Sequence, residues 1–144
     1  LALKCASTHY NVHAVPLENI HTLPVNVYAP CAIGGVVNPQ TITEIKAQLI
    51  CGGANNQLSD DKIAQTLASK GTIYVPDYVA NAGGVVIINK IGETLTDLEY
   101  QDPSVMTKLL KIQDRVEHIV ELSIDKRHST VDIADKMVKD ILRG

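Results

Sequence analysis

Three short stretches of this chain combine small residues, which let a ligand approach the backbone, with amides or a carboxylate that can orient it. They are Pro30-Cys31-Ala32-Ile33-Gly34-Gly35, Gly52-Gly53-Ala54-Asn55-Asn56-Gln57-Leu58 and Pro76-Asp77-Tyr78-Val79-Ala80-Asn81-Ala82-Gly83-Gly84. Asn55-Asn56 is the most informative pair. An Asn side chain offers a donor and an acceptor together, which matches a carboxamide, a ribose hydroxyl or a carboxylate. In a Gly-rich stretch the same two residues also serve simply to support a turn. Asp77 is open to two readings as well, a functional carboxylate or the anchor of the turn after Pro76, with the turn favoured.

Other chemistry is excluded by what the residues do not spell. The 144 residues contain no G-x-G-x-x-G, the loop that seats a pyrophosphate on a helix amino terminus. His9, His13, His21, His118 and His128 show no metal-ligand spacing, so no metal site is expected. Cys5, Cys31 and Cys51, separated by 26 and 20 positions, fit neither a disulfide framework nor a CxxC site. They read as free thiols and as small buried apolar residues. Without a secretory signature, free thiols point to a reducing, cytoplasmic setting.

The elements that must position the three stretches follow from punctuation and period. Leu1 to Thr8 reads as a helix tail, Asn11 to Val15 as an extended piece and Pro16 to Pro24 as a loop. Val25 to Ala29, Leu49 to Cys51 and Thr72 to Val75 are short runs rich in β-formers, ended by Pro30, Gly52-Gly53 and Pro76. A helix is predicted from Thr41 towards Leu49, with Thr41 and Glu44 spaced as a capping box and Asn38-Pro39 as a rival start. A second is predicted after Ser59, with Ile63, Leu67 and Ala68 inward, Lys70 in the last turn and Gly71 as its stop. Strand, helix, strand, helix, strand at this spacing is the pattern of a doubly wound parallel sheet, in which ligands bind beyond the carboxyl ends of the strands. Asn81 to Gly84 then turns into Val85-Val86-Ile87-Ile88, and Gly92 to Pro103 is polar and irregular. Val105, Leu109, Ile112, Val116 and Ile119 form one stripe of a long helix, and a last helix capped by Ser129 or Thr130 carries Val131, Ala134, Met137, Val138 and Ile141.

Composition agrees with an α/β core built without large rings. Hydrophobic residues make up 45% of the chain, with five Tyr and neither Phe nor Trp. A net charge of -3 and a pI near 5.9 argue against nucleic-acid partners. No apolar run approaches the roughly 18 residues that would span a bilayer. The opening Leu1-Ala2-Leu3-Lys4 reads as the inside of a helix, as if the numbering starts within a domain.

Taken together the three stretches resemble one family. Ala29 to Asn38 resembles the "APCALGG-V-N" stretch of the leucine, phenylalanine, valine and glutamate dehydrogenase superfamily. Lys46 to Leu58 is similar to its "K-K-A-K-V-I-A-G-A-A-N-N-Q-L" stretch, and Tyr74 to Val85 to "Y-A-P-D-Y-V-I-N-A-G-G-V". The leucine dehydrogenase branch is the nearest match, because "GANNQL" and "PDYVxNAGG" both stand here intact. The resemblance implies the second half of a Rossmann-type NAD-binding domain over residues 1–88 and a carboxy-terminal helical segment over 89–144. The glycine-rich loop and the two catalytic lysines would lie upstream, so no catalytic residue falls within the chain.

The implied activity is NAD-dependent oxidative deamination of a hydrophobic, branched-chain L-amino acid to its 2-oxo acid and ammonia, by a homo-oligomer with neither nucleic-acid nor membrane partners. Carried over by position, Cys31 and Ala32 would line the cofactor beside its nicotinamide ribose, and Ala54, Asn55 and Asn56 would sit at the nicotinamide. Asn55 would also reach the substrate carboxylate, Asn81 would close the same corner, and Val85 and Ile88 would line the substrate side-chain pocket. Asn89-Lys90-Ile91-Gly92 replaces the family's "A-D-E" stretch, and the span from Asn81 to Ile112 runs longer, which leaves the amino acid open. The alternative from another class is a non-catalytic Rossmann-like binding or oligomerisation module.

Overall fold

The computed structural model describes residues 12–91 and 103–144, with side chains for all of these except residues 88–91. The expected helix tail over Leu1 to Thr8, Cys5, His9, Asn11 and the polar span 92–102 lie outside the described residues, as does the side chain of Ile88.

Three strands form a parallel sheet in the order β1 (Val27–Tyr28), β2 (Leu49–Ile50), β3 (Ile73–Tyr74). The register aligns Val27 with Leu49 and Ile73, and Tyr28 with Ile50 and Tyr74. The second row is the buried one, so Tyr28, Ile50 and Tyr74 lie side by side under the sheet's cover. α1 (Lys62–Ser69) crosses from β2 to β3 and buries Ile63, Ala64 and Leu67 on it. Gly71, at φ +76°, ends that crossover as glycine can and L-residues with a Cβ rarely do. Asp61 rather than Ser59 is the N-cap residue, and the Asp60 carboxylate accepts from the Lys62 N–H at 2.9 Å.

Elsewhere local signals were overridden. The helix predicted from Thr41 towards Leu49 is a single 3₁₀ turn, Thr41–Thr43. Asn38 caps it, its side-chain oxygen accepting from the N–H groups of Gln40 and Thr41 at 3.0 Å each, while Thr41 donates to Val36 O. Glu44, the other half of the expected capping box, instead meets His21 at 2.7 Å. Two β-branched threonines flanking Ile42 are weak helix formers, and the chain must enter β2 at Leu49 after burying Ile42, Ile45 and Ala47. The loop expected over Pro16 to Pro24 contains a 3₁₀ helix, Leu17–Thr22.

The rest of the described chain is helical: α2 (Asp77–Ala80), α3 (Gly83–Ile91), α4 (Pro103–Lys126) and α5 (Thr130–Arg143). The apolar run from Val85 therefore lies within a helix. On α4 the predicted stripe faces inward, with Val105 and Ile119 buried and Leu109, Ile112 and Val116 half-buried. Ser129 caps α5, its hydroxyl oxygen accepting from the Asp132 N–H at 3.1 Å. Thr130 donates to Tyr74 O, pinning α5 to the end of β3, and Val131 joins the sheet core. Ile133 and Ala134 pack with Ile119 in a second cluster. Met137 packs against that cluster as predicted, and the stripe on α5 stops after it: Val138 is 52% and Ile141 78% exposed. No helix among the described residues is long and apolar enough to cross a membrane.

Candidate functional site

The loops that leave the carboxyl ends of β1, β2 and β3 are the three stretches singled out by residue type, and backbone bonds stitch them together. Between the first and second loops, Ala54 N–H donates to Pro30 O at 2.9 Å, Gly35 N–H to Asn56 O at 2.7 Å and Val37 N–H to Gln57 O at 3.0 Å. Gly53 N–H points at the Cys31 sulfur, 3.3 Å away. This approach is only possible without side chains. A Cβ on Gly34 would fall 2.7 Å from Asn55 O, and one on Gly52 would fall 2.1 Å from Pro30 O.

Between the second and third loops the contacts come from side chains. Asn81 donates through Nδ2 to Asn55 Oδ1 at 2.6 Å. Asp77 is buried, and its Oδ2 accepts from the Gln57 N–H at 2.8 Å and from the Tyr74 hydroxyl at 3.2 Å. Asp77 thus anchors the neighbouring loop, twenty residues upstream, as well as opening its own helix. Gln57 is fully buried and donates through Nε2 to Gly52 O at 2.7 Å and Ala54 O at 2.9 Å.

Asn55 and Asn56 divide the two roles left open for them. Asn56 takes φ 52°, a left-handed conformation that Asn tolerates better than most residues, and so makes the turn. That leaves the exposed Asn55 side chain to meet Asn81. Ala54 is buried, its N–H and carbonyl both engaged within the loops.

Cys31 and Ala32 are exposed and line a hollow of about 500 Å³ shared with Leu17, Ile20 and Ile33. The expectation of buried cysteines is therefore corrected. Cys31 is exposed and Cys51 only half-buried, because both lie beyond the strand ends, in the loops that leave β1 and β2. Burial first, and then the neighbouring Cys31, push the Cys51 thiol up from its ordinary value. Val85 is 60% exposed on α3. A hollow of similar volume lies at the opposite, amino-terminal end of β3, lined by Gly71, Thr72 and Arg127, and is separate from these loops. Gln57 and Tyr74 escaped the reading of the sequence; the only available signal was an uncharged polar residue caught between Asn55-Asn56 and Leu58.

Comparison with known proteins places this arrangement. The profile described as Glutamate/Leucine/Phenylalanine/Valine dehydrogenase matches residues 3–138. The chain belongs to that family. It is 34% identical over 92% of its length to a phenylalanine dehydrogenase of Caldalkalibacillus thermarum, covering 35% of that enzyme. It is 32% identical over 96% of its length to a leucine dehydrogenase of Bacillus cereus, covering 37% of it. The solved L-tryptophan dehydrogenase of Nostoc punctiforme superposes with a TM-score of 0.84 at 32% identity, over 95% of this chain and 40% of that one. The chain thus spans about a third of the length of the curated relatives it matches. That superposition and the parallel three-stranded sheet agree with the α/β, Rossmann-type class expected from the strand and helix order.

Proposed function

We propose that this chain is the carboxy-terminal portion of an NAD-dependent L-amino-acid dehydrogenase, the enzyme converting a hydrophobic, branched-chain L-amino acid reversibly to its 2-oxo acid and ammonia. The observation that carries the proposal is the Asn81–Asn55 hydrogen bond of 2.6 Å, which joins two family motifs at the carboxyl ends of adjacent parallel strands. In this reading residues 1–88 are the second half of the cofactor domain and residues 89–144 the helical segment that packs on it. The working enzyme is a cytoplasmic homo-oligomer.

The donor set suits the nicotinamide half of NAD. Asn55 and Asn56 offer exposed, uncharged amides, with the small exposed Cys31 and Ala32 alongside. Asn55, Asn56 and Asn81 would hold the carboxamide and ribose with Ala54 beneath them, and Cys31 and Ala32 would lie against the ribose. NAD, when bound there, supplies the hydride acceptor for the amino acid's Cα–H. Asn55 also orients the substrate carboxylate. A bond of this length to Asn81 fixes that amide before substrate arrives, so less ordering remains to be done in the reaction. By the family resemblance Val85 and Ile88 would line the substrate side-chain pocket, where apolar groups favour an aliphatic partner and leave a second carboxylate unpaired.

The test is NADH formation by the longer protein with leucine, valine, phenylalanine, tryptophan and glutamate. Aliphatic substrates are expected to lead, and Asn55→Ala to depress kcat/KM for all of them. The 144 residues alone, which contain no phosphate-binding G-x-G-x-x-G, are expected to form none. A longer protein that binds NAD yet oxidises no amino acid supports the non-catalytic module instead.

A further inference from the structure

Asp77 stands where both halves of the Asn55–Asn81 amide pair are fastened. Its carboxylate holds the Gln57 N–H at 2.8 Å, two residues beyond Asn55 in the same loop. Its main-chain carbonyl accepts from the Asn81 N–H, also at 2.8 Å. The carboxylate is itself held, since Tyr74 donates its hydroxyl to the same Oδ2 at 3.2 Å and accepts from the Asp77 N–H at 3.3 Å. Gln57 extends the hold with its own side chain, gripping Gly52 O and Ala54 O. A turn after Pro76 would not need a carboxylate 8% exposed and aimed at a loop twenty residues away. Bonds from a donor to an ionised oxygen are roughly twice as strong as neutral ones.

We infer that Asp77 is the positioning residue of the site: it sets the distance between Asn55 and Asn81 and through them the orientation of the nicotinamide and the substrate carboxylate. This rests on the dehydrogenase reading for its catalytic consequence, but not for its geometry. Removal of the carboxylate orphans the buried Gln57 N–H, so the second loop shifts to find water. The Asn81 amide then loses its partner although neither Asn has been changed.

The geometric arm uses the 144-residue chain and the side-chain amide resonances of Asn81 by ¹H–¹⁵N NMR. In Asp77→Ala the bonded Asn81 amide proton is expected to move to the position of a free amide, with exchange accelerated about tenfold or more. Asp77→Asn, which keeps the size and one acceptor oxygen, is expected to move it less and in the same direction; it also covers a failure of Asp77→Ala to fold. Leu67→Ala, in the core under α1, is expected to lower the melting temperature and leave that resonance in place. An unmoved Asn81 amide in both Asp77 variants, or an equal displacement in Leu67→Ala, overturns the assignment.

The kinetic arm uses the longer protein. Asp77→Ala is expected to lower kcat about 10- to 100-fold with KM for the amino acid within about twofold, and Asp77→Asn to recover most of the loss. Unchanged kcat in Asp77→Ala overturns the positioning role. Absence of activity in the unsubstituted protein instead overturns the dehydrogenase reading, and the NMR arm then decides the inference alone.

Discussion

Gly52 and Gly53 are neighbours with opposite expectations, which makes them a sharp probe of how β1 and β2 hand over to the site. A Cβ on Gly52 would sit 2.1 Å from Pro30 O, 2.5 Å from Pro30 N and 2.7 Å from Pro30 C. Carbon atoms rest at about 3.5 Å or more from their neighbours, so Pro30 would have to retreat by more than about 1 Å. It is backbone and cannot swing away as a flexible side chain would. Pro30 O also accepts from Ala54 N–H at 2.9 Å, and Cys51 N–H is tied to Tyr28 O at 3.1 Å just before it. Overpacking costs about 1–3 kcal/mol, and breaking the Pro30–Ala54 bond adds about 1 kcal/mol, giving roughly 3 kcal/mol in all for Gly52→Ala.

On Gly53 the nearest atom to a new Cβ is the Cys31 sulfur at 3.8 Å, ordinary contact. Gly53→Ala should therefore be neutral, or stabilising by about 0.4–1 kcal/mol through the lost freedom of the unfolded chain. The two variants should differ in folding equilibrium by about 100-fold or more. Urea unfolding followed by circular dichroism measures both. Equal midpoints, or a Gly52→Ala loss below about 0.5 kcal/mol, would show that the close approach of the two loops is not as described.

β1 is one of the two sheet edges among the described residues, with Val25 and Val27 40% and 49% exposed, so the chain should self-associate; Val27→Lys should reduce its light-scattering mass, and a monodisperse unsubstituted monomer would refute this. Burial raises the Tyr74 hydroxyl, and burial followed by Asp135 pushes Tyr78 up to about 12. Their neutral forms thus contribute stability that is complete below the unfolded tyrosine value of about 10 and is lost as pH rises above it, for Tyr78 through about 12. Melting temperatures should fall over that window, and tyrosines that all titrate together near 10 in the folded chain would contradict it. In the longer protein Ile88→Ala should shift preference towards bulkier amino acids by about 10- to 200-fold in kcat/KM; a uniform loss for leucine, valine, phenylalanine and glutamate would make Ile88 a packing residue.

Short contiguous strings carried most of what the sequence determined by itself. The three strands, α1, the stop at Gly71, the stripe of α4 and the Ser129 cap each depend on residues a few positions apart, and local sterics and hydrogen bonding decide them. The three small-residue and amide stretches were legible for the same reason, and the parallel order of the strands placed them at one end of a sheet. Where local signals competed with packing they misled. The capping-box spacing of Thr41 and Glu44 yielded to a chain that had to bury Ile42 and Ile45 and still reach Leu49.

Only the tertiary structure decided which residues meet. Asn55 and Asn81 stand 26 positions apart, and Gln57 and Asp77 stand 20 apart. Nothing in either string shows that one Asn makes the turn while its neighbour faces a third loop, or that a carboxylate after Pro76 serves the loop before it. Those contacts depend on the register of β2 against β3 and on Gly34 and Gly52 admitting backbone where a Cβ would collide. Register and close approach belong to the packed sheet as a whole, because burying one row of Tyr28, Ile50 and Tyr74 fixes every loop that leaves it.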